Sequence, residues 1–106
     1  MIEPFDLRYL PAAEQDLLDV LDYIARDDPH AARRFVDRID QAIGHLASFP
    51  KAGRRPGNAR LRRLGYRLLV VGDYLVFYVI IGRTVEVRRI LHGAHRYEFL
   101  LVDSLT

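Results

Sequence analysis

Residues 61–92 read LRRLGYRLLVVGDYLVFYVIIGRTVEVRRILH, and this stretch decides the fold. It contains three runs that are rich in β-branched, aromatic or leucine side chains, which are typical of β-strands. The runs are 61–71, Tyr74–Ile81 and Thr84–His92. Because the second run is almost wholly apolar, as is usual for a strand with neighbours on both sides, the sequence predicts an antiparallel meander with this run at its centre.

Two dipeptides separate the runs, Gly72-Asp73 and Gly82-Arg83. A type II′ turn requires a positive φ at its first central residue, and glycine adopts that conformation at no steric cost. Since glycine stands first in both pairs, we expect two tight hairpin turns to join the three strands.

The sequence upstream of the strands predicts two amphipathic helices. The first covers Pro11–Asp27, where proline occupies the first position and apolar residues recur at helical spacing. The second begins at Pro29, after Asp28, whose carboxylate can cap free backbone amides, and it extends to about Ser48. The short connection between the two implies an antiparallel helical hairpin.

The chain as a whole predicts an α+β fold. Residues 5–10 alternate weakly and precede a proline, which indicates a short first strand. The order β-α-α-β-β-β then predicts an antiparallel β-sheet packed on the α-helical hairpin, with the other sheet face partly open. At 106 residues the chain is expected to form a single domain over residues 1–106.

The composition excludes several kinds of site. There is no cysteine, so disulfides, thiolate zinc sites and cysteine nucleophiles are ruled out. The longest apolar run, Tyr74–Ile81, is far shorter than the roughly 20 residues that span a bilayer, and residues 1–10 lack the apolar stretch of a secretory signal. We therefore expect a cytoplasmic protein that holds neither a metal nor a cofactor.

Charge is divided unevenly along the chain. Residues 1–50 carry five arginines against ten acidic residues, whereas residues 51–106 carry eleven cationic residues against four acidic ones. Seven of these cations fall within 17 residues that contain no acid, and we call them the basic rim: Lys51, Arg54, Arg55, Arg60, Arg62, Arg63 and Arg67. Guanidinium groups grip carboxylates and phosphates, so the rim would suit an acidic protein or a nucleic acid, unless it is only a solvated loop.

The last predicted strand contributes a second candidate surface. Strict alternation places Arg88 and His92 on one face of this strand and Arg89 on the other. We predict a target-contacting patch made by Arg88 and His92 together with His95 and Arg96 beyond the strand, to which Arg89 could add from the sheet edge. The alternative is that the two histidines only end the strand and hydrogen-bond a turn.

Short motifs follow one another in a fixed order along residues 5–99. They are AAEQDL at 12–17, FPKAG at 49–53, RL at 63–64, YLVFY at 74–78 and VRRILHGAHR at 87–96. This order resembles the RelE/ParE superfamily of toxins from type II toxin–antitoxin systems, and its ParE branch in particular. The resemblance implies a growth-inhibiting toxin that an antitoxin holds inactive, commonly in complexes of two toxins and two antitoxins or larger.

The resemblance leaves two activities open. RelE-like members cut messenger RNA on the ribosome, whereas ParE-like members are associated with poisoning DNA gyrase without a reaction of their own. RNA cleavage needs a base, an acid and cations for the developing phosphate charge. Where RelE-like members place an arginine in the central strand, this chain has Leu75 or another apolar residue, and Phe99 or Leu100 stands where a catalytic tyrosine is expected, with Tyr97 displaced.

We therefore predict a non-enzymatic toxin that binds DNA gyrase and has no catalytic residues. The alternative is a ribosome-dependent endoribonuclease in which His92, His95 and Arg96 act, because an imidazole titrates at about pH 6.5. The expected partners are a cognate antitoxin and the gyrase. An acidic antitoxin tail would fit the basic rim, and the rim residues expected to bind it are Arg54, Arg55, Arg62, Arg63 and Arg67.

Overall fold

The structure is a computed structural model that describes residues 3–93 of the chain. In chain order the elements are β1 (Asp6–Tyr9), α1 (Pro11–Asp27), α2 (Pro29–His45), α3 (Ala59–Arg63), β2 (Arg67–Val71), β3 (Tyr74–Ile81) and β4 (Thr84–His92). Apart from the short α3, this is the β-α-α-β-β-β order that the sequence predicts, and the α+β fold class is confirmed. None of the helices within residues 3–93 is long and apolar enough to cross a membrane.

The four strands form one sheet in the order β1-β4-β3-β2. Strands β2, β3 and β4 pair antiparallel, which confirms the predicted meander with β3 inside it. Strand β1 pairs in parallel with β4, so the sheet is mixed rather than antiparallel throughout. Gly72 and Gly82 both have a φ of +59°, and none of the described non-glycine residues has a positive φ, which is the sign pattern of the predicted type II′ turns.

The two long helices follow their local signals closely. Helix α1 has the predicted bounds, Pro11–Asp27. Helix α2 starts as predicted, because the Asp28 carboxylate accepts hydrogen bonds from the backbone amides of His30 and Ala31 at 3.0 and 3.2 Å. It ends at His45, three residues earlier than the pattern indicates, since the chain continues as a turn to Ser48.

The predicted strand over 61–71 is wrong in its first half, which forms α3. The Asn58 side chain caps this helix by accepting a hydrogen bond from the Leu61 amide at 3.0 Å. At the other end Gly65, with φ +86°, and Tyr66 donate their amides to the carbonyls of Arg62 and Leu61. This pair of bonds is a Schellman motif, and it reverses the chain so that β2 begins only at Arg67.

Both faces of the sheet are covered, so the expectation of a partly open second face is also wrong for the described residues. Helices α1 and α2 pack on one face, over buried side chains of all three meander strands. On that face the buried strand residues are Val71, Val76, Tyr78, Val85, Val87 and Ile90. The opposite face holds a second apolar cluster of Leu61, Tyr66, Leu68, Leu75, Phe77, Val79 and Leu91. Burial on two faces explains why β3 is almost wholly apolar.

Candidate partner-binding surfaces

A β-bulge in β4 decides which way its functional side chains point. Tyr78 pairs with Val87 and Phe77 pairs with Arg89, so Arg88 is an extra residue without a partner on β3. Beyond such a bulge the alternation of side chains changes phase. Val87 and the later Ile90 therefore both face the helices, although strict alternation would put them on opposite faces.

The bulge separates two residues that the sequence analysis had grouped together. The His92 ring lies edge-on to Tyr74, with centroids 5.3 Å apart, and Tyr74 in turn packs edge-on against Phe35 of α2 at 5.2 Å. Arg88 instead lies over the ring of Tyr66 on the opposite sheet face, 5.6 Å from its centroid. The predicted patch of Arg88 with His92 is therefore not formed, because the phase change moves His92 to the helix side.

Arg88 belongs to a charged cluster at the junction of β1 and β4. Its Nε donates to Glu86 Oε1 at 3.0 Å, and the Arg8 guanidinium binds the other carboxylate oxygen of Glu86. Burial by itself would raise the pKa of Glu86, but the hydrogen bond from Arg8 and the charges of Arg88 and Arg8 outweigh it, so the pKa lies below its ordinary 4.5. The Arg88 guanidinium is thus ion-paired within the chain, and it shares the single charge of Glu86 with Arg8.

Replacing Glu86 with glutamine should make the free energy of unfolding depend less on pH in the acidic range. A carboxyl whose pKa is lowered by folding stabilises the protein above its ordinary pKa, and this contribution is lost as the pH falls through the folded value. At pH 7 we expect Glu86→Gln to lower the free energy of unfolding by about 1–2 kcal/mol. Urea unfolding at a series of pH values should show this gap shrinking below pH 4.5, whereas a constant gap would contradict the ionic role.

Arg89 is held by α1 rather than presented to solvent. Its Nε and Nη2 donate to the two carboxylate oxygens of Asp16 at 2.7 and 2.9 Å. The backbone amide of Ile90 donates to the same carboxylate at 2.9 Å. Asp16 therefore fastens the middle of β4 to α1, and this position was missed because its sequence pattern indicates only a polar helix face.

A groove of about 1020 Å³ lies between the helical hairpin and the end of the sheet where β3 begins and β4 ends. Its walls include the apolar side chains of Val20, Ile24, Phe35 and Tyr74, and His92 lies at its sheet end. Charged residues line it as well, and they are Asp16, Asp19, Arg34, Arg38 and Asp73. We call it the hairpin groove, and its apolar walls with a charged border suit an amphipathic partner segment.

The loop that carries the basic rim is held in place by hydrogen bonds to the sheet and within the loop. The Tyr78 hydroxyl donates to the carbonyl of Pro50 at 2.8 Å and accepts from the buried amide of Gly53 at 2.9 Å. Arg67 donates to the Gly53 carbonyl at 3.0 Å, and Arg62 donates to the Gly57 carbonyl at 2.6 Å. These bonds fix the backbone that carries the rim.

The rim cations consequently fall into two groups. Arg62 and Arg67 are half-buried and bound to loop carbonyls, so much of their hydrogen-bonding capacity is used within the chain. The other five are exposed and form no ion pair with another residue of the described part, and they are Lys51, Arg54, Arg55, Arg60 and Arg63. These five are the rim residues available to a partner.

Comparison with known proteins identifies the family of the chain. The profile of the ParE toxin of type II toxin–antitoxin systems, parDE, matches residues 7–97. The chain belongs to the ParE toxin family. It is therefore related to the toxin component of type II toxin–antitoxin systems, as its motif order had indicated.

Individual relatives agree with the family assignment. The chain is 35% identical over 97 residues to the Y4kP protein of Sinorhizobium fredii (strain NBRC 101917 / NGR234), a match that covers 90% of this chain and 95% of the relative. It is 34% identical over 89 residues to toxin ParE1 of Mycobacterium tuberculosis, covering 80% of this chain and 88% of that toxin. These matches extend over nearly the whole ParE-like domain.

Two solved structures share the fold. The chromosomal ParDE toxin–antitoxin system from P. aeruginosa superimposes with a TM-score of 0.67 at 22% identity, over 83% of this chain and 95% of that chain. The RelBE2 toxin–antitoxin complex from Mycobacterium tuberculosis gives a TM-score of 0.58 at 23% identity, over 84% and 98% of the two chains. At these identities the likeness shows the fold of this ParE-family chain.

The candidate residues of this ParE-family chain are thus distributed over three places. Arg88 and Arg89 are bound to carboxylates of their own chain, and His92 borders the hairpin groove. His95 and Arg96 lie outside the described residues, so their assignment to the target or to catalysis stays a prediction. The residues that sequence reasoning missed are Glu86, Asp16 and Tyr78, because each acts through a contact with a distant part of the chain.

Proposed function

We propose that this chain inhibits growth by binding DNA gyrase and that a cognate antitoxin neutralises it. Membership of the ParE family supports a toxin of a type II system. The gyrase target is favoured by the resemblance of the sequence to ParE-like rather than RelE-like toxins. A complex of two toxins and two antitoxins, or a larger one, is the proposed inactive form.

The observation that carries the proposal is the internal pairing of the arginines in β4. Arg88 is paired with Glu86 and Arg89 with Asp16, at 3.0 and 2.7 Å. A cation that stabilises the charge developing on a scissile phosphate must be aimed at that phosphate and not neutralised by a neighbouring carboxylate. The arrangement therefore favours a toxin that acts by binding over one in which Arg88 or Arg89 stabilises a cleaved phosphate. The alternative in which His92, His95 and Arg96 cleave RNA is decided by the experiments below.

The antitoxin is proposed to cover the hairpin groove and the basic rim. The groove offers apolar walls that would anchor an amphipathic segment, and buried apolar area supplies most of the affinity in such interfaces. The rim adds exposed cations such as Arg55 and Arg63 for an acidic part of the antitoxin. Because these charges are exposed, their contribution should weaken as the salt concentration rises.

The proposed function is tested by supercoiling of relaxed plasmid by purified gyrase and ATP, with this protein titrated into the reaction. We expect loss of supercoiling, or accumulation of cleaved plasmid, because a bound toxin would hold the gyrase cycle at an intermediate step. Addition of the cognate antitoxin, identified as the product of a neighbouring gene that relieves the toxicity of this chain, should restore supercoiling.

A parallel translation reaction with ribosomes and a defined messenger RNA provides the contrast. Unchanged gyrase activity at a large molar excess of folded protein, together with cut messenger RNA, would contradict the gyrase proposal and favour the ribosome-dependent nuclease. His92→Ala and His95→Ala would then be the first variants to measure for RNA cleavage. Gyrase inhibition with intact messenger RNA would exclude the nuclease alternative.

A further inference from the structure

The outer edge of β2 is only partly used by the chain itself. Arg54 exchanges both of its backbone hydrogen bonds with Leu68, each at 2.9 Å, so the Leu68 amide and carbonyl point away from β3. In an antiparallel ladder every second residue points the same way, which places the Val70 amide and carbonyl on this same outer edge. Neither group is bonded along that edge by any residue of the described part.

A second groove runs beside this edge. It has a volume of about 460 Å³ and lies between β2 and the outer face of α2, where Arg38, Gln41 and His45 line it. Val70 borders the groove and is 54% exposed. Free backbone groups next to a groove are the features that allow an extended peptide to add a strand to a sheet.

The side chains of an added strand would meet different surroundings on its two faces. The Val70 side chain lies on the same sheet face as Leu68, and this face is turned away from the helices. In the added strand, the residue that pairs with Val70 would therefore place its side chain against the exposed valine. The residues before and after it would point toward α2, where Arg38 and His45 stand. A carboxylate next to the paired residue is therefore placed to meet Arg38.

Charge and position decide what kind of segment fits. Arg38 lies close to Gly72 at one end of the edge, and Arg54 pairs with Leu68 at the other, so cations stand at both ends. Two copies of this chain joined symmetrically about Val70 would bring Arg38 of one copy toward Arg54 of the other, which is repulsive. Arg38 also lines the hairpin groove, so a segment bound there can continue directly onto the β2 edge.

We propose that the antitoxin adds a short, extended, acidic segment to the β2 edge, bonded to the amide and carbonyl of Val70 and with a carboxylate on Arg38. This inference rests on the proposed neutralisation by an antitoxin. Beyond that function, the inference states where the antitoxin segment continues after the hairpin groove, which is the β2 edge. It also states which backbone groups bind the segment, which are the amide and carbonyl of Val70. The Arg54–Leu68 pair sets the limit of the added strand, because the chain itself occupies the edge from there.

The first test is amide hydrogen exchange of the toxin, free and in complex with the co-expressed antitoxin. We expect exchange of the Val70 amide to slow by at least about tenfold on binding, because the amide then donates to the added strand. The Leu68 amide is a reference in the same strand, since it is already bonded to Arg54 in the free protein. Protection of Val70 in the free protein that grows with its concentration would assign the edge to a second copy and overturn the proposal.

Variants of Val70 separate the backbone bond from the side chain. Val70→Pro removes the outward amide without breaking a bond to β3, and it should weaken antitoxin binding at least about fivefold. Val70→Thr keeps the amide and the branched shape, so it should weaken antitoxin binding clearly less than Val70→Pro does. Arg38→Glu is an independent variant that leaves the strand intact, and it should weaken binding more at low salt than at high salt.

The outcomes distinguish this inference from the function on which it rests. Tight antitoxin binding with an unprotected Val70 amide and full affinity of Val70→Pro would overturn the added strand and leave neutralisation intact. An antitoxin that does not bind the unaltered chain would overturn both. A Val70→Pro protein that fails to fold would leave the decision to the exchange measurement and to Arg38→Glu.

Discussion

Replacing Gly53 with alanine should lower the free energy of unfolding by about 3 kcal/mol, since the new methyl group has no space. A Cβ built at this position lies 2.5 Å from the Tyr78 hydroxyl oxygen, 2.7 Å from Tyr78 Cε1 and 2.8 Å from the Leu68 carbonyl oxygen. The Tyr78 ring is fully buried, and its hydroxyl is bonded to Pro50 and Gly53. The ring cannot move aside without losing both bonds.

Urea unfolding followed by circular dichroism measures this effect, and Gly57→Ala is the matched control in the same loop. A Cβ at Gly57 meets no atom within 4 Å, so its substitution should change the free energy of unfolding by less than about 0.5 kcal/mol. Equal stability of the two variants would contradict the close contact at Gly53. Because this contact shapes the loop, Gly53→Ala should also weaken antitoxin binding through the basic rim.

Replacing Asp16 with alanine is expected to cost about 2–4 kcal/mol of unfolding free energy, because it leaves the Arg89 guanidinium charged and without its carboxylate. Three donors lose their acceptor at once, namely two guanidinium nitrogens of Arg89 and the Ile90 amide. The side chains of Asp16 and Arg89 are only 12% and 19% exposed, so water replaces the lost bonds incompletely. The estimate nevertheless lies below the cost of breaking a fully buried ion pair, because the remaining exposure lets water reach the Arg89 guanidinium in part.

Asp22→Ala is the control for this variant, since Asp22 is exposed on the same helix and has no bonded partner among the described residues. Its replacement should change the free energy of unfolding by less than about 0.5 kcal/mol. A double-mutant cycle with Arg89→Met isolates the contribution of the pair. The double variant should lose less unfolding free energy than the sum of the losses in the two single variants. Strict additivity would show that the pair does not contribute as a unit.

The parts of the fold that could be read from the sequence are those set by neighbouring residues. The bounds of α1 and the start of α2 follow from Pro11 and from the Asp28-Pro29 pair, which act through local backbone geometry. The turns at Gly72 and Gly82 follow in the same way, because only glycine takes a positive φ at no cost. The order of the motifs was likewise sufficient to predict the family.

The parts that could not be read from the sequence depend on pairing between distant segments. Residues 61–64 looked like the start of a strand, but the Asn58 cap and the Gly65 reversal make them helical, and the burial of Leu61 under the sheet stabilises that choice. Arg88 looked like a partner of His92, but the bulge opposite Phe77 and Tyr78 turns the two to opposite sides. The site prediction failed there because it assumed an unbroken alternation.

By itself, the sequence determined the order of the two long helices and the four strands, the hairpin turns, the uneven charge and the family, because each of these depends on residue type and short spacing. Only the tertiary structure decided which arginines are available to a partner. Arg88 and Arg89 are ion-paired with Glu86 and Asp16, whereas Arg55 is exposed and forms no ion pair with a described residue. The physical reason is that a guanidinium is free or neutralised according to the carboxylates that folding brings within hydrogen-bond distance, and those carboxylates can lie anywhere along the chain.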